Sequence, residues 1–267
     1  YDVVIDMHDH VRTILLRNFF KIFGTKVVTF EKGRKEKTLF TRKENKITTP
    51  LPHTIDRYRE AFERAGYPVT IGEPPYLALS DVIQTASGWF AYKKSTETNK
   101  WIGLAPFAAH KSKVWPVENY PQLIENILKK HQVKFFLFGG GDKEIAFFET
   151  LKKQFPDHVE IIAGQLKLRQ EIALMQHLDL MVCVDSSNMH IAALARVPLV
   201  SIWGGTHADV GFGPYRTPEQ NRIEISRDEL PCRPCSVYGR ENCYRGDFAC
   251  LNWIKPETVA MRIEEML

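Results

Sequence analysis

Residues 180–214 constrain the fold more tightly than any other stretch of this chain. Met181-Val182-Cys183-Val184 is an apolar, β-branched run of the length expected for a buried strand. It ends at Asp185, and Ser186, Ser187 and Asn188 are residue types that favour a helix N-cap. The alanine-rich segment 189–196 reads as a short helix stopped near Pro198. A second buried run, Leu199-Val200-Ser201-Ile202-Trp203, leads into Gly204-Gly205-Thr206-His207. The spacing predicts a βαβ unit with its polar residues gathered at the carboxyl ends of the strands. That edge is where open α/β sheets bind ligands. Free N–H groups and a partial positive charge at a helix N-terminus suit a diphosphate there. A plain cap and a structural aspartate are the alternative reading of the same residues.

The alternation of strand and helix runs through the rest of the chain. Val3-Val4-Ile5 reads as a strand ending at Asp6, with His8, Asp9 and His10 in the following turn. Val11, Ile14, Leu15, Phe19 and Ile22 fall on one helical face, and Gly24 is placed to end that helix. A strand over 26–30 makes this a second parallel βαβ unit. Residues 31–52 carry Lys32, Arg34, Lys35, Lys37, Arg42, Lys43 and Lys46, and read as a solvated loop or a mobile basic rim for an acidic partner. A helix is predicted over 53–65. Periodicity is lost over 72–100, and the domain boundary is predicted at about residue 95. Beyond it, strands are predicted at 101–104, 134–138 and 159–162, and helices at 120–131, 142–155 and 169–177. The result is a doubly wound parallel sheet. Gly139-Gly140-Gly141 lacks the spacing of a dinucleotide fingerprint or a P-loop, and by itself predicts only a tight turn or a close approach.

Composition bounds the function. A chain of 267 residues, 44% hydrophobic and 25% charged, has room for one large or two medium domains. A net charge of +4 suits an anionic ligand or membrane face. Nucleic acid is disfavoured, because the basic segment carries a single aromatic, Phe40, and so lacks the interleaved aromatics on which bases could stack. No apolar run reaches the length of a membrane span and no signal peptide is read at the start, so the chain is expected to begin inside a domain.

Several motifs together resemble glycosyltransferase family 9, the heptosyltransferases of lipopolysaccharide core assembly. They are Lys113-Val114-Trp115-Pro116 after a strand, Phe138-Gly139-Gly140-Gly141, Asp185-Ser186-Ser187-Asn188-Met189-His190, Trp203-Gly204-Gly205-Thr206-His207, and the tail from Pro231-Cys232-Arg233-Pro234-Cys235 to Cys250-Leu251. The resemblance is strong over 101–267 and looser over 1–30. It implies a GT-B architecture of two Rossmann-like domains: a partial acceptor-side domain over 1–95, a nucleotide-sugar-binding domain over 96–255, and a terminal helix over 256–267 that packs back on the first domain. It also implies inverting transfer of a sugar, heptose above all, from an ADP-linked donor to a lipid-linked envelope saccharide, without a divalent metal. Carried onto this sequence, Lys113 would neutralise the diphosphate and Asp185 would bind donor-sugar hydroxyls. Ser186, Ser187, Asn188 and the backbone up to His190 would hold the phosphates, with Thr206 nearby. Asp142 or Glu144 would meet the ribose. Asp6, Asp9 and Arg12 are acceptor-side candidates. Family members usually have glycine where Ser187 stands, and their catalytic base comes from a Gly-Asp loop that nothing here matches, so the base is expected upstream of residue 1. A cytoplasmic monomer, peripheral at the inner membrane, is the setting that follows.

Cys232, Cys235, Cys243 and Cys250 have the spacing C-x2-C-x7-C-x6-C, while Cys183 lies alone in a strand. That spacing leaves a structural zinc, reduced thiols and disulfides open. Two other functions remain in view: a nucleotide-sugar-binding protein without catalysis, and another GT-B enzyme such as a nucleotide-sugar epimerase. The latter would need a second catalytic carboxylate or a cofactor lysine, for which there is no motif.

Overall fold

The computed structural model describes residues 1–77 and 99–267. It divides into two compact units, Tyr1–Glu73 with Ala208–Tyr215, and Pro74–His207 with Arg216–Leu267. The boundary expected near residue 95 lies outside the described residues.

In the smaller unit β1 (Val3–Asp6) pairs in parallel with β2 (Lys26–Thr29), Val3 opposite Lys26 and Asp6 opposite Thr29. Helix α1 (Val11–Ile22) connects them. Its N-cap is His10, whose Nδ1 accepts the Arg12 N–H, and Gly24 follows its end in the left-handed region at φ 77°. The predicted helix is present, but its apolar face is not buried: Leu15 is 77% and Ile22 80% exposed. Periodicity specifies which face a helix offers, whereas burial needs an element to cover it. The unit's core forms elsewhere, from Val28, Ala61 and Ala65 with Val3, Ile5 and Met7 packed against them.

The basic segment is not simply a solvated loop. Helix α2 (Arg34–Thr41) lies within it, with Phe40 fully buried and Lys37 almost so. Lys37 Nζ sits 4.2 Å from the centroid of the Phe212 ring, a cation–π contact. Helix α3 (Thr54–Ala65) follows, capped by His53 and ended by Gly66 in the left-handed region. Its Arg57 is buried and pairs with Glu36 at 2.6 Å. A single phenylalanine among many charges carries little periodic signal, and long basic side chains bury their stems without losing their charge. Composition alone therefore hid the helix.

The larger unit is built on β3 (Lys100–Ala105), α4 (Asn119–Leu128), β4 (Val133–Leu137), α5 (Asp142–Gln154), β5 (Val159–Ile161) and α6 (Leu168–Met175). Then come β6 (Leu180–Val184), α7 (Ser187–Leu194), β7 (Leu199–Trp203), β8 (Arg222–Glu224), α8 (Ala249–Asn252) and α9 (Pro256–Glu264). The strands form one six-stranded sheet in the order β5-β4-β3-β6-β7-β8, every pairing parallel. Strands β6 and β7 are buried at every residue, which is why both read as continuous apolar runs. Strand β8 escaped the sequence reading because three residues are too few to show a period.

The last helix forms part of the larger unit's core. Val259, Ala260 and Ile263 of α9 join the core of the larger unit, where α9 packs on α4. Glu264 and Lys130, at 2.8 Å, tie its end to the same layer.

Strand β8 ends in a buried ion network. Glu224 lies 3.1 Å from His207 Nε2 and 2.7 Å from an Arg233 guanidinium nitrogen. Burial alone would raise the Glu224 pKa, but the His207 hydrogen bond and the Arg233 charge outweigh it and hold the carboxyl at about 2. A carboxyl depressed below its usual 4.5 stabilises the fold fully above that pH and loses the contribution as pH falls toward 2. The amount is about 3 kcal/mol. Glu224→Gln is expected to lower stability at pH 7 and to flatten its fall between pH 4.5 and 3, read by urea unfolding at each pH. An unchanged pH slope would show that other carboxylates carry the acid sensitivity.

Candidate functional site

The strand order reverses between β3 and β6, so the loops leaving these neighbours run in opposite directions and a crevice opens at their carboxyl ends. A cavity of about 730 Å³ occupies that place. Phe107, Ala108, Ala109 and Lys113 line it from beyond β3, Gly139, Gly140 and Glu144 from beyond β4, and Asp185 to Asn188 with His190 and Ile191 from β6 and α7.

Its charged centre is a pair. Lys113 stands in a one-turn 3-10 helix, Lys111–Lys113, and its Nζ lies 3.1 Å from Asp185 Oδ2. Both are largely withdrawn from water, with the side chains 14% and 9% exposed. The Thr206 hydroxyl, also buried, donates to the same carboxylate oxygen at 2.7 Å. Asp185 is therefore held from two sides, and the ammonium is placed at the cavity wall, where it can meet an incoming anion.

The start of α7 offers the next feature. Ser186 is its N-cap by backbone geometry, yet its side chain makes no capping hydrogen bond. Its hydroxyl is buried and has no partner among the described residues. An unsatisfied buried hydroxyl costs about 1–3 kcal/mol, which a ligand oxygen would relieve. The first N–H groups of α7 lie beside it with the positive end of the helix dipole. A lysine, an unpartnered hydroxyl and a helix start on one cavity wall make a site for an anion with several oxygens.

Opposite strand β4, Glu144 turns back on the glycine run and accepts the Gly140 N–H at 2.8 Å. A Cβ on Gly139 would stand 2.4 Å from that carboxylate, so the close approach read in the glycine triplet is to Glu144. Glu171 on α6 also lines the cavity, and burial raises its pKa. It was missed because an acid in the first turn of a helix is common to helices of every function.

Other expected residues fall elsewhere. Asp142 starts α5 but does not line the cavity. Thr206 does not line it either, and reaches it only through Asp185. In the smaller unit Asp6 accepts the His8 and Asp9 N–H groups and the Thr13 hydroxyl, with Arg17 at 3.4 Å. Burial would raise its pKa, but these bonds and the Arg17 charge outweigh it and keep the carboxyl ionised. It shapes the β1–α1 turn, in which His8 and His10 stack side by side. Asp9 pairs with Arg17 and Arg34 on the wall of a second cavity, about 800 Å³, while Arg12 is exposed.

Cys232, Cys235, Cys243 and Cys250 all line one small space in the larger unit, and none is disulfide-bonded. Among the described residues no three His, Cys, Asp or Glu side chains are arranged to hold a metal ion. Burial pushes the Cys250 thiol up to about 12, which keeps it protonated.

Comparison with known proteins bears on this site. The profile of glycosyltransferase family 9 (heptosyltransferase) matches residues 1–244. The chain belongs to glycosyltransferase family 9. Relatives include the lipopolysaccharide core heptosyltransferase OpsX of Haemophilus influenzae, 26% identical over 233 residues that make up 84% of this chain and 61% of that protein. Lipooligosaccharide heptosyltransferase 2 of Campylobacter jejuni is 25% identical over 171 residues, 62% of this chain and 51% of that one. The family 9 chain thus spans between half and two thirds of the length of these relatives.

Solved structures agree on the fold. Escherichia coli heptosyltransferase WaaC with ADP matches with a TM-score of 0.61 at 18% identity, over 100% of this chain and 73% of that one. E. coli ADP-heptose lipopolysaccharide heptosyltransferase II matches with 0.65 at 19%, over 100% and 76%. A family 9 transferase from Veillonella parvula matches with 0.66 at 20%, over 99% and 73%. Identities at this level speak for the fold alone, which is the α/β, parallel-sheet fold of the GT-B heptosyltransferases.

Proposed function

We propose that the full-length protein transfers a sugar with inversion from a nucleoside-diphosphate donor to an envelope saccharide, with ADP-heptose as donor and a lipopolysaccharide-core saccharide as acceptor. The observation that carries the reading is the cavity at the strand-order reversal, where Lys113, the unpartnered Ser186 hydroxyl and the start of α7 share one wall. Family membership supplies the reaction class, and the names of the relatives supply heptose. ADP is taken from the nucleotide bound in the WaaC structure.

The chemistry follows from charge. Breaking the bond between the sugar and the diphosphate leaves negative charge on the departing group. A preorganised ammonium and N–H groups stabilise that charge most where it develops, with no reorganisation at the moment of reaction. Asp185 keeps its position through Thr206 while Lys113 turns toward the phosphates, and its carboxylate is then available to donor-sugar hydroxyls. It is committed to these partners, so the acceptor's proton goes to another base. On this reading the acceptor is lipid-linked and the protein works as a peripheral protein at the cytoplasmic face of the inner membrane, where the nucleotide-linked donor is available. Among the described residues no helix is long and apolar enough to cross a membrane.

A calorimetric titration of the full-length protein with ADP, GDP and UDP tests the reading. ADP is expected to bind in the micromolar range without added metal and more tightly than the other two. Binding of none of them would refute the donor site.

A further inference from the structure

Two of the donor pocket's charged residues, Lys113 and Asp185, are linked to the cysteine-bearing tail through the segments around Ser112 and Thr206. Arg233, only 1% exposed, donates through Nε to the Gly204 carbonyl at 2.8 Å. Its remaining guanidinium nitrogens reach the carbonyls of Ile225, Trp203 and Thr206 and the Glu224 carboxylate. One buried side chain therefore fixes the backbone of 203–206 at three carbonyls, and one of those residues, Thr206, carries the hydroxyl that holds Asp185.

The other loop is held in the same way. Gly205 donates to the Ser112 carbonyl at 2.8 Å, while the Cys235 and Ser236 N–H groups donate to the Gly205 carbonyl. Ser112, buried beside Lys113, donates its N–H to the Arg240 carbonyl, and its hydroxyl accepts the Arg240 N–H at 2.9 Å. A Cβ on Gly204 would lie 2.5 Å from the Ser112 carbonyl oxygen, and one on Gly205 2.9 Å from Ser112 Cβ. The two loops meet so closely that only glycine fits.

We propose that the tail segment 232–240 is a positioning clamp for the donor pocket. Arg233 sets Asp185 through Thr206, and Arg240 with Ser112 sets the turn that carries Lys113. None of these three touches the cavity, so each acts through another residue. The role rests on the donor-site reading above. It also gives the tail a task that does not depend on its cysteines: the backbone and one arginine of Cys-Arg-Pro-Cys-Ser bind the loops, and the thiols fill the space behind them.

The test uses the full-length protein with Arg233→Lys, Thr206→Val, the double variant, and Ser112→Ala. Arg233→Lys keeps the charge but cannot span three carbonyls and a carboxylate. Arg233→Lys and Thr206→Val are each expected to weaken binding of the sugar-bearing donor about fivefold, and Ser112→Ala, acting through Lys113, to weaken ADP itself by as much, the worth of one lost hydrogen bond. If Arg233 acts through Thr206, the double variant loses no more than the worse single, whereas independent structural damage would multiply the two losses. Multiplying losses, or no loss at all, would overturn the proposal. Amide exchange in the free protein reads the clamp without ligand: Arg233→Lys should expose the Gly205 N–H while β3 and β4 stay protected. Unchanged protection would overturn it equally. If the wild type binds no nucleotide while the exchange result holds, the donor-site reading fails and the clamp stands as a structural device. Should Arg233→Lys fail to fold, Ser112→Ala supplies both readouts.

Discussion

Lys113→Ala is expected to weaken ADP binding by more than about tenfold, equal to about 1.4 kcal/mol. Two effects add in the same direction. The ammonium's hydrogen bonds to the phosphates are lost, and bonds to charged groups are worth about 1.5–3 kcal/mol each. Asp185, 3.1 Å from Nζ, is also left without its cation and would repel the incoming diphosphate. Some stability goes with the pair, because a buried carboxylate stripped of its partner is costly, so binding is to be measured well below the melting temperature. Asp185→Asn should behave differently. It removes a negative charge beside the phosphates, so ADP should bind as well or better, while binding of the sugar-bearing donor should weaken. Lys111→Ala, exposed and two residues away, is the control for general charge. Equal losses at Lys111 and Lys113 would mean that ADP responds only to the overall field, and the assigned wall would be wrong.

The largest loss of stability is expected at Trp115, in the same motif. Trp115 is fully buried and packs edge-on against Tyr120, ring centroids 5.1 Å apart at 72°. Its indole N–H donates to the Ile254 carbonyl at 3.0 Å, which ties the segment after Lys113 to the chain between α8 and α9. Truncation of a buried tryptophan to alanine costs about 3–5 kcal/mol through lost burial and the cavity left behind. The orphaned Ile254 carbonyl adds to that. Trp115→Phe keeps most of the ring and should lose about 1–2 kcal/mol. Urea unfolding of both variants checks the order. A loss below about 1 kcal/mol for alanine would show that the site collapses around the gap. The pairing of Lys113 with Trp115 two residues on explains why the motif reads as one unit: the first residue faces the cavity, and the second anchors the turn that carries it.

Much of the larger unit was legible in advance. Strands β3, β4, β6 and β7 read as largely apolar runs because both faces of the sheet are covered, and such runs announce themselves without tertiary information. Asp185 and the residues after it were legible for a related reason, since a run of several polar residues after an apolar one marks a strand end. The smaller unit was less so. Its α1 has the right period but leaves Leu15 and Ile22 exposed, and its α2 hides a buried phenylalanine among lysines and arginines. Periodicity reports what a segment could bury and is silent on whether another segment arrives.

Local pattern alone determined the alternation of strands and helices in this protein, the parallel sheet, and the polar edge after β6. Those depend on neighbours a few residues apart, and sequence records such neighbours directly. Only the tertiary structure decided which polar groups meet. Lys113 and Asp185 are 72 residues apart and Asp185 and Thr206 21, yet they share one carboxylate oxygen. Asp142 and Thr206 were equal candidates by position, and the packing left both off the cavity wall while bringing Glu171 onto it. The grip of Arg233 on 203–206 has no signature in the order of residues. A guanidinium finds its partners through space, and the sheet's strand order, not chain distance, sets which carbonyls lie within its reach.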